Sequence, residues 1–99
     1  MVFSEVNIIW DDAKNEKIKK ERGISFEEIA ALIIEKKYVE VVKHPRRPGQ
    51  MIFLIPVKGY VYAVPFVFDG EGNIVLKTAF PSRKFNKRYG GKDSEDKTG

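Results

Sequence analysis

Apolar residues recur at Phe26, Ile29, Ala30, Ile33 and Ile34, the three-and-four spacing that lays a stripe along one side of a helix. Ser25 stands just before this run and Glu28 three positions after it, a capping box, and Ile24 is placed to staple onto Ile29. Lys36 and Lys37 would close the helix favourably against its dipole. Upstream, residues 6–10 form a short apolar run that predicts a brief strand. Asp11 or Asp12 then marks the start of a helix over 13–22, with Gly23 as its stop. Only Ala13 and Ile18 are apolar in that segment, so it is expected to lie shallowly on the body.

From Tyr38 the period shortens towards two. Residues 38–43 have strand character and end at His44-Pro45, and the loop Arg46-Arg47-Pro48-Gly49 sets a basic pair between two prolines. Further strands are expected over 51–57, 60–68 and 73–80. They are joined by a tight turn at Lys58-Gly59 and a hairpin loop over 69–72, where Gly70 and Gly72 would take positive φ. The apolar run Met51-Ile52-Phe53-Leu54-Ile55 points to helix cover or a dimer surface on the second face of the sheet. Pro56 and Pro65 each remove a ladder donor and are expected at an edge or a bulge. The last strand stops at Pro81, and Ser82 caps a short helix crowded with cations. The pattern predicts an α+β fold: two N-terminal helices packed on one side of a four-stranded, mainly antiparallel sheet, with a short basic C-terminal helix. Residues 1–89 read as one domain and 90–99 as a disordered polar tail.

Ninety-nine residues suffice for one core without staples, and the 42% apolar share fits a globular chain. The net charge of +4 understates the basicity of the folded part, because Asp93, Glu95 and Asp96 outnumber Lys97 in the last seven residues and leave +6 on the remainder. Anionic partners are favoured, nucleic acid or an acidic protein ahead of a membrane. The absence of cysteine excludes disulfides and thiolate chemistry, and one histidine argues against a zinc site. No apolar run approaches a membrane span and the N-terminus lacks a signal-peptide hydrophobic region, so a cytoplasmic location is expected. No cofactor or metal is expected.

Cleavage of RNA without a metal needs a group to take the 2′-hydroxyl proton, a group to protonate the departing 5′-oxygen, and cations for the charge on phosphorus. His44 has the intrinsic range for proton transfer, although a polar residue ending a strand before proline is the commoner role for such a position. Lys77, read on a strand face with Val75 and Ala79, would become a better acid or base if that face were desolvated, and is otherwise an exposed sheet lysine. Arg83 and Lys84 open the last helix, where backbone amides add to anion attraction, and Lys87 and Arg88 extend the same cationic run. That run also reads as the solvated face of a terminal helix. Tyr89 can stack a base, donate a proton, or anchor the helix to the sheet. Arg46 and Arg47 can grip phosphate from their loop or simply keep it soluble. Asp11 and Asp12 read as caps before they read as metal ligands.

The opening Ile9-Trp10-Asp11-Asp12-Ala13-Lys14-Asn15-Glu16-Lys17, followed by Arg22-Gly23-Ile24-Ser25-Phe26-Glu27-Glu28, resembles that of BrnT-type toxins. The second half, with Tyr60-Val61-Tyr62, Val64-Pro65-Phe66 and Lys77-Thr78 leading into Pro81-Ser82-Arg83-Lys84 and Tyr89, is similar to the ending of the same group. The resemblance implies a RelE-like fold, the toxin of a type II toxin–antitoxin pair, and an antitoxin that binds the toxin and blocks its basic surface. By position Lys14 and Asn15 match the opening motif, and Arg83 and Tyr89 the ending. The central His44-Pro45-Arg46-Arg47-Pro48-Gly49 departs from the better-known members.

Two functions follow from the sequence. One is a metal-independent endoribonuclease with Lys77, Arg83, His44, Lys84 and Tyr89 at its centre and Arg46, Arg47, Lys14, Lys87 and Arg88 on the RNA. The other is a non-catalytic basic module that binds nucleic acid or an acidic protein. The apolar strands and the Trp10 region also suggest surface for a homodimer or for the antitoxin.

Overall fold

A computed structural model describes residues 7–90 of the chain. Val6 of the predicted first strand, and the predicted disordered tail beyond Gly90, lie outside the described residues. Elements run in the order β1 (Ile8–Ile9), α1 (Asp12–Arg22), α2 (Phe26–Ile34), β2 (Glu40–Lys43), β3 (Met51–Val57), β4 (Tyr60–Phe68), β5 (Ile74–Leu76), β6 (Phe80–Pro81) and α3 (Arg83–Phe85), which widens into a π-helical turn over Asn86–Gly90. The strands form one six-stranded sheet in the order β1-β5-β4-β3-β2, with β6 also paired to β4. The β2–β3–β4–β5 succession is antiparallel, as expected, while β1 joins β5 in parallel.

The helices follow their local signals with three corrections. Asp11 takes the N-cap position of α1, but its side chain makes no capping hydrogen bond; Gly23 ends the helix in the left-handed conformation. In α2 the Ser25 hydroxyl accepts from the Glu28 amide, and Ile24 and Ile29 lie in the same core cluster, as the capping box and staple require. Phe26, Ile29, Ala30 and Ile33 are buried whereas Ile34 is exposed, so the stripe is one residue narrower than its spacing suggests. Lys36 and Lys37 lie beyond the helix rather than in its last turn. Lys36 stands at φ +58° and its amide donates to the Ile33 carbonyl, while the Lys37 amide donates to Leu32. This is a Schellman closure with lysine where glycine is usual.

The predicted strand over 73–80 is two strands. Pairing with β4 covers Ile74–Leu76 and resumes at Phe80–Pro81. Between them the chain leaves the ladder over Lys77, Thr78 and Ala79. Pro65 explains the break. The Lys77 amide donates to the Pro65 carbonyl at 2.9 Å, and in a strand the N and O of one residue point the same way, so the donor missing from Pro65 faces this gap. Pro56 sits past the last β2 pairing, which ends at Glu40 opposite Leu54, so its missing donor faces an open edge. In the hairpin loop only Gly72 of the two glycines takes positive φ; Asp69 shapes the rest by accepting from the Glu71 and Asn73 amides.

Alternation along β3 and β4 gives the sheet two buried faces. Phe53, Ile55, Val57, Val64, Phe66, Ile74 and Leu76 pack with Ile18 of α1 and Phe26, Ile29 and Ile33 of α2. Ile52, Leu54, Val61 and Ala63 form a second cluster against Val42, Phe85 and Tyr89. The helices are therefore not segregated to one side: the C-terminal segment covers the face that α1 and α2 leave. Burial of side chains such as Phe26 and Leu54 contributes about 1.5–3 kcal/mol each before conformational entropy is set against it.

Candidate functional site

The chemistry-bearing side chains meet where α1 adjoins the sheet beside the β2–β3 loop and the chain that follows β5. Ile52 pairs with Pro65 in register, and Pro65 is bonded to Lys77, so the three lie side by side across the sheet. One step along, the His44 amide donates to the Gln50 carbonyl and closes the β2–β3 loop. Ile18 is buried under α1, which turns Lys14, Lys17 and Glu21 of the neighbouring helical positions towards the same hollow.

These elements enclose an open cleft of about 520 Å³. Ile52, Pro65 and Phe80 supply apolar wall, and Thr78 and Gln50 supply neutral polar groups. Among the described residues Lys14, Lys17, Arg22, Arg47 and Lys77 line it against one carboxylate, Glu21, with His44 at the loop side. Such an excess of cations over a sheet floor concentrates phosphate oxygens. Lys77 is half-buried, as is His44; Lys14 and Arg47 are exposed. Ala79 by contrast is fully buried in the helix-side core, so the sequence reading that set Lys77 and Ala79 on one regular strand face is corrected by the break after Leu76.

His44 is held in a definite orientation. Its Nδ1 accepts from the Arg46 amide at 3.1 Å, so the neutral ring carries its proton on Nε2 and offers a donor there. Asn15, the neighbour of Lys14 in the opening motif, has a different task. It is 3% exposed; its Oδ1 accepts from the Phe26 amide at 2.8 Å and its Nδ2 donates to Glu27 at 2.9 Å. That clamp satisfies an otherwise orphan amide at the start of α2 and fixes α1, hence Lys14, against it. The Asn15 carboxamide also holds the Glu27 carboxyl below its ordinary range.

Lys77, His44, Arg47 and Lys14 thus come together in the cleft, from positions far apart in the chain. Arg83, Lys84, Lys87 and Arg88 are exposed and do not line it. Lys84 lies over the Phe85 ring and Arg88 over the Tyr89 ring, at 5.3 and 6.0 Å from the centroids. Tyr89 packs on the cluster of Ile52, Leu54, Val61 and Ala63, an anchoring position. Ser82 caps α3 by accepting from the Phe85 amide, and Asn86 accepts from the Val61 amide, tying the segment to β4. Arg46 is exposed in the loop and outside the cleft wall. Lys17, Glu21, Arg22, Gln50 and Thr78 are polar lining residues the sequence reading did not assign to a site. The spacing of Lys14, Lys17, Ile18 and Glu21 puts them on one helix face and could have found the first two; nothing local marks Gln50.

Among the described residues no three of His, Asp or Glu converge as a metal site, and no helix is long and apolar enough to cross a membrane. No protein-family model matches the sequence, and neither does any curated protein. Among solved structures the chain is similar to the 1.1 Å crystal structure of the Brucella abortus ribonuclease toxin BrnT, with a TM-score of 0.58 and 18% sequence identity, over 78% of this chain and 96% of that one. At this identity the likeness is one of fold, and it agrees with the resemblance read from the two sequence motifs: the chain has a BrnT-type toxin fold.

Proposed function

We propose that this chain is a ribonuclease toxin that cleaves RNA without a metal ion, and that the cationic cleft is its active site. The observation that carries this reading is the convergence of Lys77, Arg47 and Lys14 with a His44 ring whose Nε2 is a donor. The fold shared with a ribonuclease toxin supports it. In the reaction the ribose 2′-oxygen loses its proton and attacks phosphorus, the P–O5′ bond breaks, and the 5′-oxygen takes up a proton. The products are a 2′,3′-cyclic phosphate and a 5′-hydroxyl. Glu21, a carboxylate on the cleft wall, suits the first proton transfer and the Lys14 ammonium the second, while His44 Nε2–H donates a hydrogen bond to a phosphoryl oxygen, because a neutral ring that gave up this proton would be left an anion. Lys77 and Arg47 stabilise the charge that grows on the phosphoryl oxygens. Arg83, Lys84, Lys87 and Arg88, with Arg46, then hold the RNA on either side, and Tyr89 keeps the C-terminal segment seated.

The test is incubation of the purified chain with end-labelled RNA in excess chelator, with analysis of the new ends. Cyclic phosphate and 5′-hydroxyl termini are expected; intact RNA, or 5′-phosphate ends, would refute the mechanism. The second reading, a basic module that binds RNA or an acidic protein without cutting, draws on the exposed cations outside the cleft and predicts retention of RNA with no new ends. An antitoxin that covers the cleft belongs to the first reading. Ile34 and Phe68, 69% and 58% exposed, offer apolar contacts to such a partner or to a second copy. A solution mass of one chain alone and one chain with a co-expressed neighbour distinguishes these.

A further inference from the structure

The β2–β3 loop separates the cleft from a second hollow of about 340 Å³. His44, Arg47 and Gln50 line both, so the two are parted only by the thickness of these side chains. Ile52, of the α3-side cluster, borders the cleft, and Met51, packed with the helix-side core, borders the second hollow. Lys43, paired with Met51 in register, and Pro48 complete its wall.

The wall chemistry differs from that of the cleft. Pro48 and Met51 give it apolar surface, Lys43 and Arg47 stand on its wall as cations, and Gln50 brings a carboxamide. The backbone of Gln50 is already engaged, its carbonyl by the His44 amide and its own amide by the Arg47 carbonyl, which fixes where its side chain starts. A carboxamide beside cationic donors matches the N7, O6 and N6 groups on the outer edge of a purine, whereas a pyrimidine has no N7 to offer. Bases of single-stranded RNA are free to turn into such a hollow while the backbone stays on the cations.

We infer that this second hollow is a purine subsite for the nucleotide next to the scissile phosphate, with Gln50 as the residue that reads the base. The inference rests on the proposed RNA-cleaving function of the adjoining cleft and adds the substrate's base class. Phosphate held between Lys77 and Arg47 leaves its neighbouring nucleoside at the rim, and His44 and Arg47 stand at the passage between the two spaces. Gly49, at φ +84°, keeps the loop that forms the hollow in a shape a side chain would strain.

The experiment uses the full chain and uncleavable 2′-O-methyl hexamers of uridine in which one position is A, G, C or U. Binding is followed by fluorescence anisotropy, and unmethylated counterparts are tested for cleavage. Wild type is expected to favour the A and G hexamers over C and U by about tenfold, and Gln50→Ala to lose that ratio. Gln50→Glu, which keeps the acceptor and removes the donor, is expected to shift the A-to-G ratio, a change that a merely structural role would not produce. Equal binding of all four hexamers, or a purine ratio that survives in Gln50→Ala, overturns the subsite. If the unmethylated RNA is still cut in that case, the ribonuclease reading stands and the subsite alone falls. No binding of any hexamer at low salt overturns both.

Discussion

The amide of Lys77 donates to the carbonyl of Pro65 at 2.9 Å, and through this bond a proline without a donor and a lysine leaving the ladder fit each other. The structural contribution of Lys77 is therefore its backbone; its side chain is left to the cleft. Lys77→Ala is expected to fold as wild type does, with unchanged circular dichroism and a melting temperature within a few degrees, because the bond that holds this stretch to β4 is made by the backbone. RNA cleavage is expected to fall by about 10²–10³-fold, the usual loss when one preorganised charge-stabilising group is taken from a phosphoryl or acyl site. Cleavage at wild-type rate by a folded Lys77→Ala would remove this residue from the mechanism.

The exposed cations of the C-terminal segment predict a different signature. Replacing Arg83, Lys84, Lys87 and Arg88 together by alanine removes charges that do not line the cleft, so the loss should fall on affinity. Each lost phosphate contact is expected to reduce the slope of log K against log salt by about 0.7 for single strands. At saturating RNA the cleavage rate should stay close to that of wild type. A collapse of the saturated rate with an unchanged salt slope would instead put one of these residues in the chemistry.

How far the sequence could be read depended on whether a signal was local. The capping box at Ser25 and Glu28, the Gly23 stop and the two-residue turn at Lys58-Gly59 act within a few residues, and the elements they bound appear where expected. Pro65 was legible as a disturbance, but its effect falls on a different strand: it opens β5 from β6 and frees Lys77 from the pleat. The parallel pairing of β1 with β5 joins positions 8 and 74, a separation no window detects. The same holds for the cleft. Lys14, His44 and Lys77 were each visible as a candidate residue, and their convergence was created by three crossings of the sheet. Asn15 shows the opposite case, a motif residue whose side chain is spent on folding.

Lys36 offers a stability test that leaves the cleft untouched. It occupies the left-handed position of the Schellman closure after α2, at φ +58°, where an L side chain costs roughly 1 kcal/mol that glycine avoids. Part of that gain is offset by the greater freedom of glycine in the unfolded chain. Lys36→Gly is expected to stabilise the protein by about 0.5 kcal/mol in urea unfolding, with the m-value unchanged. A destabilised variant would mean that the lysine side chain makes a contribution beyond its backbone conformation.

Asn15 couples stability to pH. The Asn15→Ala variant leaves the Phe26 amide buried without its acceptor and is expected to cost about 1–3 kcal/mol, read from urea unfolding at neutral pH. It also removes the main cause that holds Glu27 low. The hydrogen bond from Asn15, then that from the Glu27 backbone, lower this carboxyl below its ordinary value of 4.5. A carboxyl depressed in the folded state binds fewer protons there than in the unfolded chain. Its stabilising share is full above pH 4.5 and is lost as pH falls through the folded value. Asp69 behaves alike one step lower: hydrogen bonds from Asn73 are the largest causes that lower it from 3.8. As pH falls below 4.5 wild type is therefore expected to lose stability as Glu27 and Asp69 take up protons, and Asn15→Ala to show a smaller Glu27 share, since the backbone amide, Lys19 and Ser25 still lower that carboxyl. Glu27→Gln, which can still accept from Asn15 but does not titrate, should remove the Glu27 share with a smaller loss at neutral pH. An acid limb identical in all three proteins would show that the clamp between α1 and α2 does not depend on the charge of Glu27.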